Sequence, residues 1–141
     1  MSAKLILFPM LAMVALTLMV AMLMLKRRIS AFKTKRIHPQ KVALSAQMAA
    51  LVEDTRASDN FRNLFETPVL FYAAMLTIFS ANLLTTAHLW MAWAYVAARY
   101  GHSFIQCTDN NVMRRFYAFI SSVSLVLCIW LFIGYQLLFI A

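Results

Sequence analysis

Glycine is almost absent from this chain: two occur in 141 residues, Gly101 and Gly134. Helix pairs that pack through glycine are therefore scarce. Alanine and serine must let helix backbones approach, as at Ala73, Ala74, Ala81, Ala92, Ala94, Ala97 and Ala98. Acidic residues are few as well, five against thirteen Lys and Arg. The two cysteines do not make a disulfide scaffold, because Cys107 falls in a predicted loop and Cys128 well inside the last predicted helix. Cys128 reads as a small apolar residue in helix packing. Three histidines are too few for a two-haem electron carrier. His88 and His102 would lie about 21 Å apart along a helix, so they cannot share one metal or haem. No HExxH, CxxC or glycine-rich phosphate loop occurs. A nucleophile pair at His102-Ser103 gains nothing from adjacency, since neighbours on a helix do not converge. The chain also has no internal repeats, which leaves little room for an alternating-access transporter.

What is abundant is apolar. Hydrophobic residues make up 63% of the chain, and the mean hydropathy is +0.73. That composition belongs to an integral membrane protein. Four spans are predicted, at about 5–25, 63–84, 87–105 and 114–140. The first would cover about 31 Å as a helix, a bilayer core. Only Lys4 precedes it, and Lys26-Arg27-Arg28 closes it in the manner of a stop-transfer cluster, so it reads as a retained helix and not a signal peptide. Between 40 and 58, Leu44, Met48, Leu51 and Val52 follow helical spacing. This predicts an amphipathic helix on the interface or an extension of the second span, with Ser58-Asp59-Asn60 as a break or cap.

The net charge of +8 sits mostly in one loop, so topology explains it better than nucleic-acid binding. Lys26, Arg27, Arg28, Lys33, Lys35, Arg36 and Lys41 follow the first span, and Arg99, Arg114 and Arg115 flank the loop after the third. The connection near Thr85-Thr86 is uncharged. The positive-inside rule makes both basic loops cytoplasmic and both termini non-cytoplasmic. Trp90 and Trp93 then fall in the opposite aromatic belt.

The strongly polar groups of the spans gather at the cytoplasmic end. Arg62 and Glu66 stand four residues apart, with Asn63 between, on nearly one helix face. Tyr95, Arg99 and His102 form one stripe of the third span. Arg114 and Arg115 open the fourth, and only one of them can face inward, since helix neighbours diverge by about 100°. Two readings compete: a site facing a wet cavity or partner, or an interfacial ion pair with arginines snorkelling to lipid phosphate. A site of this make-up could bind an anionic group through arginine, hold an ammonium or amide through Glu66 and Asn63, and stabilise a thiolate.

This layout resembles MAPEG, the membrane-associated proteins of eicosanoid and glutathione metabolism. Arg62-Asn63-x-x-Glu66 opening the second span, Arg99-x-x-His102 closing the third and Arg114/Arg115 opening the fourth carry the resemblance. It implies an all-α integral membrane four-helix bundle, assembled as a homotrimer, with glutathione bound between subunits near the cytoplasmic face. Arg62, Asn63, Glu66, Tyr95, Arg99 and His102 are then candidate glutathione contacts, and Arg114 or Arg115 the catalytic arginine that activates the thiol. Lipids and a lipophilic second substrate are the further partners. Short loops and the lack of a eukaryotic retention signal look bacterial, which places the chain in an inner cell membrane. Asp59, Thr67 and Gln106 depart from residues that other members carry. The expected activity is that of a glutathione transferase or peroxidase acting on lipophilic electrophiles or lipid hydroperoxides. The alternative is a non-catalytic scaffold or accessory subunit of the same fold.

Overall fold

The computed structural model describes residues 2–42 and 44–140. Among the described residues six helices follow in order: α1 Leu7–Lys35, α2 Ser45–Leu51, α3 Arg56–Asn63, α4 Pro68–Ser80, α5 Thr86–Cys107 and α6 Val112–Phe139. Short 3-10 turns at Ala3–Ile6 and Pro39–Val42 precede α1 and α2. No strand occurs among the described residues.

Among the described residues, three stretches are long and apolar enough to cross a membrane: Ala3–Lys35, Arg56–Ser80 and Val112–Phe139. At 22 residues, α5 is as long as a bilayer core requires, about 33 Å, yet it is not among them. The reason lies in its inward face, which carries His88, Arg99, His102, Ser103 and Gln106, all buried. α5 packs along α6 and also against α1 and α3, while α4 packs on α6. The core between them holds Met13, Leu16, Phe71, Met75, Ile78, Tyr95, Ile129 and Ile133. Leu18, Met22, Trp90, Phe104, Leu131 and Leu138 point outward. Apolar side chains facing away from the core on every long helix suit a lipid solvent.

The scarcity of glycine shows at the helix ends. Left-handed backbone is needed at three positions, and Arg36, Asn82 and Asn110 supply it with φ of 50°, 53° and 52°. Asparagine tolerates this conformation better than most side chains do. Thr85 caps α5 by accepting from the His88 amide at 3.4 Å. Asn111 caps α6 by accepting from the Arg114 amide at 3.1 Å.

Several sequence-derived boundaries are corrected. The first helix does not end at residue 25: it runs to Lys35, so Lys26, Arg27, Arg28 and Lys33 ride on α1 and not in a loop. The segment 40–58 is not one amphipathic helix. It divides into Pro39–Val42, α2 and the start of α3, and the link between α2 and α3 falls at 52–55. Ser58-Asp59-Asn60 lies inside α3 and neither breaks nor caps a helix. The stretch 63–84 is not one helix from its start either. Hydrogen-bonded turns occupy 64–67, and α4 begins at Pro68. A proline ring clashes with the carbonyl four residues back and has no amide to donate, so a continuous helix through Leu64 and Pro68 is blocked. Cys107 is the last residue of α5 and is buried, while Cys128 is exposed on α6 and not part of the packing.

Candidate functional site

At the end of the bundle where α3 turns into α4, α5 ends and α6 begins, the chain encloses an open cavity of about 490 Å³. Its volume falls in the range of small-molecule sites, about 300–1,000 Å³. Asn63 and Glu66 line it from the α3–α4 corner, His102 and Gln106 from α5, and Arg115, Phe116 and Phe119 from α6. Asp59 and Val112 complete the wall.

Arg99 sits behind that wall with no exposed surface. Its Nη2 donates to the Asn63 carbonyl and to Asn63 Oδ1, both at 3.1 Å. Nε and Nη1 are buried without a protein partner. A buried guanidinium is costly unless its donors are met. Here it is anchored to a backbone carbonyl freed by the end of α3, the kind of acceptor a helix terminus leaves over. His102 is 1% exposed, with Nδ1 unpartnered, and its ring lies 6.1 Å from that of Phe119. Gln106 Oε1 is also buried and unpartnered. Tyr95 belongs to a deeper layer: its ring stacks on Phe71 with centroids 4.2 Å apart, away from the cavity wall.

The two arginines that open α6 separate clearly. Arg115 lines the cavity, and its Nη1 donates to Asn110 Oδ1 at 2.7 Å. Arg114 is largely exposed and reaches Asp109 at 3.6 Å. Arg62 and Glu66 do not share a face. The turns at 64–67 rotate Glu66 toward the cavity, whereas Arg62 lies in a separate groove with Met24, Arg28, Ser58, Phe61 and Phe65. No ion pair joins Arg62 to Glu66, so the local-pair reading of these two residues is overturned.

A family model described as the MAPEG family matches residues 6–135. The chain belongs to the MAPEG family. Comparison with curated proteins and with solved structures gave no match. The family match runs through all six helices and ends within α6. It makes the chain a membrane protein of a family that contains glutathione transferases and peroxidases as well as non-catalytic members.

The structure of this MAPEG protein also brings in residues that sequence reasoning passed over. Asn60 is fully buried; its Nδ2 donates to Cys107 Sγ at 3.3 Å, and its Oδ1 accepts from Ser103 Oγ at 3.2 Å. With the Asn63–Arg99 contact, this ties α3 to α5 directly under the cavity. Asn60 lies three residues, just under one turn, before Asn63 and four before Leu64, so a helix drawn from residue 56 would have signalled it. Phe116 and Phe119 give the cavity an apolar side and carried no signal beyond their hydrophobicity.

Proposed function

We propose that this chain is a glutathione-dependent membrane enzyme of the transferase or peroxidase type. In this reading α1, α3–α4, α5 and α6 make four membrane crossings, and three copies assemble as a homotrimer. The basic end of the bundle lies on the cytoplasmic side, and the termini on the other. The observation that carries the reading is the cavity itself. Within one small volume it joins a guanidinium (Arg115), a carboxylate (Glu66), an amide (Asn63), the side chains of His102 and Gln106 and an aromatic wall.

Each part suits a thiol peptide beside a lipophilic partner. Arg115 offers an anion-stabilising donor, and a cation beside a thiol lowers its pKa from about 8.5 toward neutrality. The resulting thiolate attacks an electrophilic carbon, a C–S bond forms and the leaving group departs with its electron pair. Asn63, held by Arg99, and Glu66 orient the peptide ends. Phe116 and Phe119 accept the apolar substrate arriving from the bilayer. Arg62 and Arg28 face an outer groove of about 350 Å³, where a neighbouring subunit would bring them to a shared site.

The test is the substitution Arg115→Ala beside Arg114→Ala, in purified trimer. Conjugation of a lipophilic electrophile with glutathione should fall about a hundredfold for Arg115→Ala, the loss typical of one anion-stabilising donor. Arg114→Ala should stay within about twofold, as for an exposed pair. Equal activity in all three proteins would sink the assignment. The non-catalytic reading is favoured by one observation, the absence of Arg62 from the cavity wall. It predicts no glutathione-dependent rise in melting temperature. A specific binder gains about 2.7 kcal/mol at a hundredfold excess over its dissociation constant.

A further inference from the structure

A second groove lies on the α1–α3 face of the bundle, apart from the cavity. It measures about 350 Å³ and is lined by Met24 and Arg28 of α1, Ser58, Phe61 and Arg62 of α3, and Phe65 of the following turn. Among the described residues no carboxylate lines it. The ion pairs among those residues are Arg27–Asp54, Lys35–Glu53, Arg56–Asp54 and Arg114–Asp109, so neither Arg28 nor Arg62 has an acidic partner there. One arm of Arg28, Nη2, donates to Ser58 Oγ at 3.3 Å, which holds the guanidinium at the groove. Arg62 is exposed.

The rest of the wall is apolar. Phe61 and Phe65 meet edge to face with ring centroids 5.0 Å apart, and Phe65 is 58% exposed. Met24 beside them is buried. Depth narrows what can enter. The apolar run of α1 ends at Leu25, and Arg28 stands three residues further on, about 4.5 Å along the axis. The headgroup layer of a bilayer is about 5–7 Å thick on each side, so a guanidinium at this level meets lipid phosphate. Two cations without acidic partners, above an apolar wall, complement a molecule with an anionic head and a hydrocarbon tail. A planar guanidinium takes two phosphate oxygens at once, and a basic pocket between membrane helices suits an anionic headgroup. A zwitterionic head brings an ammonium of its own, which these arginines repel.

We propose that the α1–α3 groove is a binding site for an acidic phospholipid. Arg28 and Arg62 hold its phosphate, and Phe61, Phe65 and Met24 take the first part of an acyl chain. The site is complete within one chain and does not depend on the thiol reading of the cavity. A neighbouring copy that draws this groove toward a shared site would enclose the lipid at the seam.

Native mass spectrometry of the purified protein, titrated in detergent with phosphatidylglycerol or phosphatidylcholine of identical chains, tests this. Phosphatidylglycerol adducts should form at a lipid concentration lower by about tenfold or more. Arg28→Ala and Arg62→Ala should each weaken them about fivefold, the effect of one arginine near an anionic surface. Lys33→Ala removes the same charge from α1 outside the groove and should change them by less than about twofold. Glycerol 3-phosphate and glutathione at millimolar concentration should not displace the lipid, because neither brings an acyl chain to the apolar wall. Equal binding of the two lipids, or a loss in Lys33→Ala that matches the arginine variants, would reduce the groove to general surface attraction and overturn the site. Displacement by either soluble anion would overturn it too. Glycerol 3-phosphate would mark a site for a free anion, and glutathione would assign both arginines to the peptide. Where an arginine variant fails to assemble, Phe65→Ala takes its place. It should weaken phosphatidylglycerol about threefold or more, and an unchanged affinity overturns the acyl contact.

Discussion

Arg99 is a full positive charge with no exposed surface, and Asn63 supplies both of its acceptors. Replacing Asn63 by Ala removes the side-chain acceptor and leaves the backbone one. A hydrogen bond to a charged group contributes about 1.5–3 kcal/mol, so Asn63→Ala should lower the melting temperature in detergent by several degrees. Asn63→Asp should restore it, because a carboxylate is a stronger acceptor for the same guanidinium. An unchanged melting temperature in Asn63→Ala would show that the buried charge is satisfied elsewhere. The stripe of Tyr95, Arg99 and His102 was legible in the sequence, since offsets of four and three residues fix one helix face whatever surrounds it. The choice between Arg114 and Arg115 was not. It depends on how α6 is rotated about its own axis, and that is set by its packing on α5.

The elements are tied together at the polar end by a small charged latch. Arg27 of α1 and Arg56 of α3 both reach Asp54 in the link before α3, at 3.2 and 2.8 Å. The same two arginines donate to the carbonyls of Cys107 and Thr108 at the end of α5. These are carbonyls that a helix C-terminus leaves unsatisfied. The Arg56 side-chain bond holds the Asp54 carboxyl below its ordinary value of 3.8, with the Arg56 amide and the Arg27 charge adding and partial burial opposing. A carboxyl lowered on folding stabilises above its unfolded pKa and loses that contribution as pH falls through the folded one. Melting temperature should therefore drop below about pH 4, and Asp54→Asn should remove that part of the acid sensitivity. The contribution stays under about 1 kcal/mol because the pair is partly exposed. Deeper in the same corner, Asn60→Ala cuts the bonds from α3 to Ser103 and Cys107 and leaves a buried hydroxyl unpaired. It should destabilise the protein by about 1–3 kcal/mol, read as earlier thermal aggregation. The α3–α4 break was signalled by Pro68, but the apolar run around it masked the boundary.

For the molecule as a whole, every long helix carries large apolar side chains on its outer face, up to 78% exposed at Leu138. Such a surface requires lipid or a neighbouring copy. If three chains share the site, native mass spectrometry from detergent should give a mass three times the 16.1 kDa of the chain. A monomer that still conjugates glutathione would show that one chain completes the site without Arg62 and Arg28 of a neighbour. The all-helical membrane architecture was readable at this level, since composition and the length of apolar runs decide it.

Sequence alone was enough for the membrane class, the helical content, the family and the gathering of polar groups at one end of the spans. The class, the helical content and the gathering follow from hydropathy, helical period and charge distribution, which are local or additive properties of the chain; the family follows from the motif residues Arg62, Asn63, Glu66, Arg99, His102, Arg114 and Arg115. The tertiary structure decided which of those polar groups meet. Asn63 and Arg99 are 36 residues apart in sequence and 3.1 Å apart in space. Arg62 stands next to Asn63 in the chain and faces a different groove. The turns before Pro68 and the rotation of α5 and α6 against each other bring Asp59, Gln106 and Arg115 to one cavity. No local spacing encodes that rotation, because it is the outcome of how whole helix faces pack.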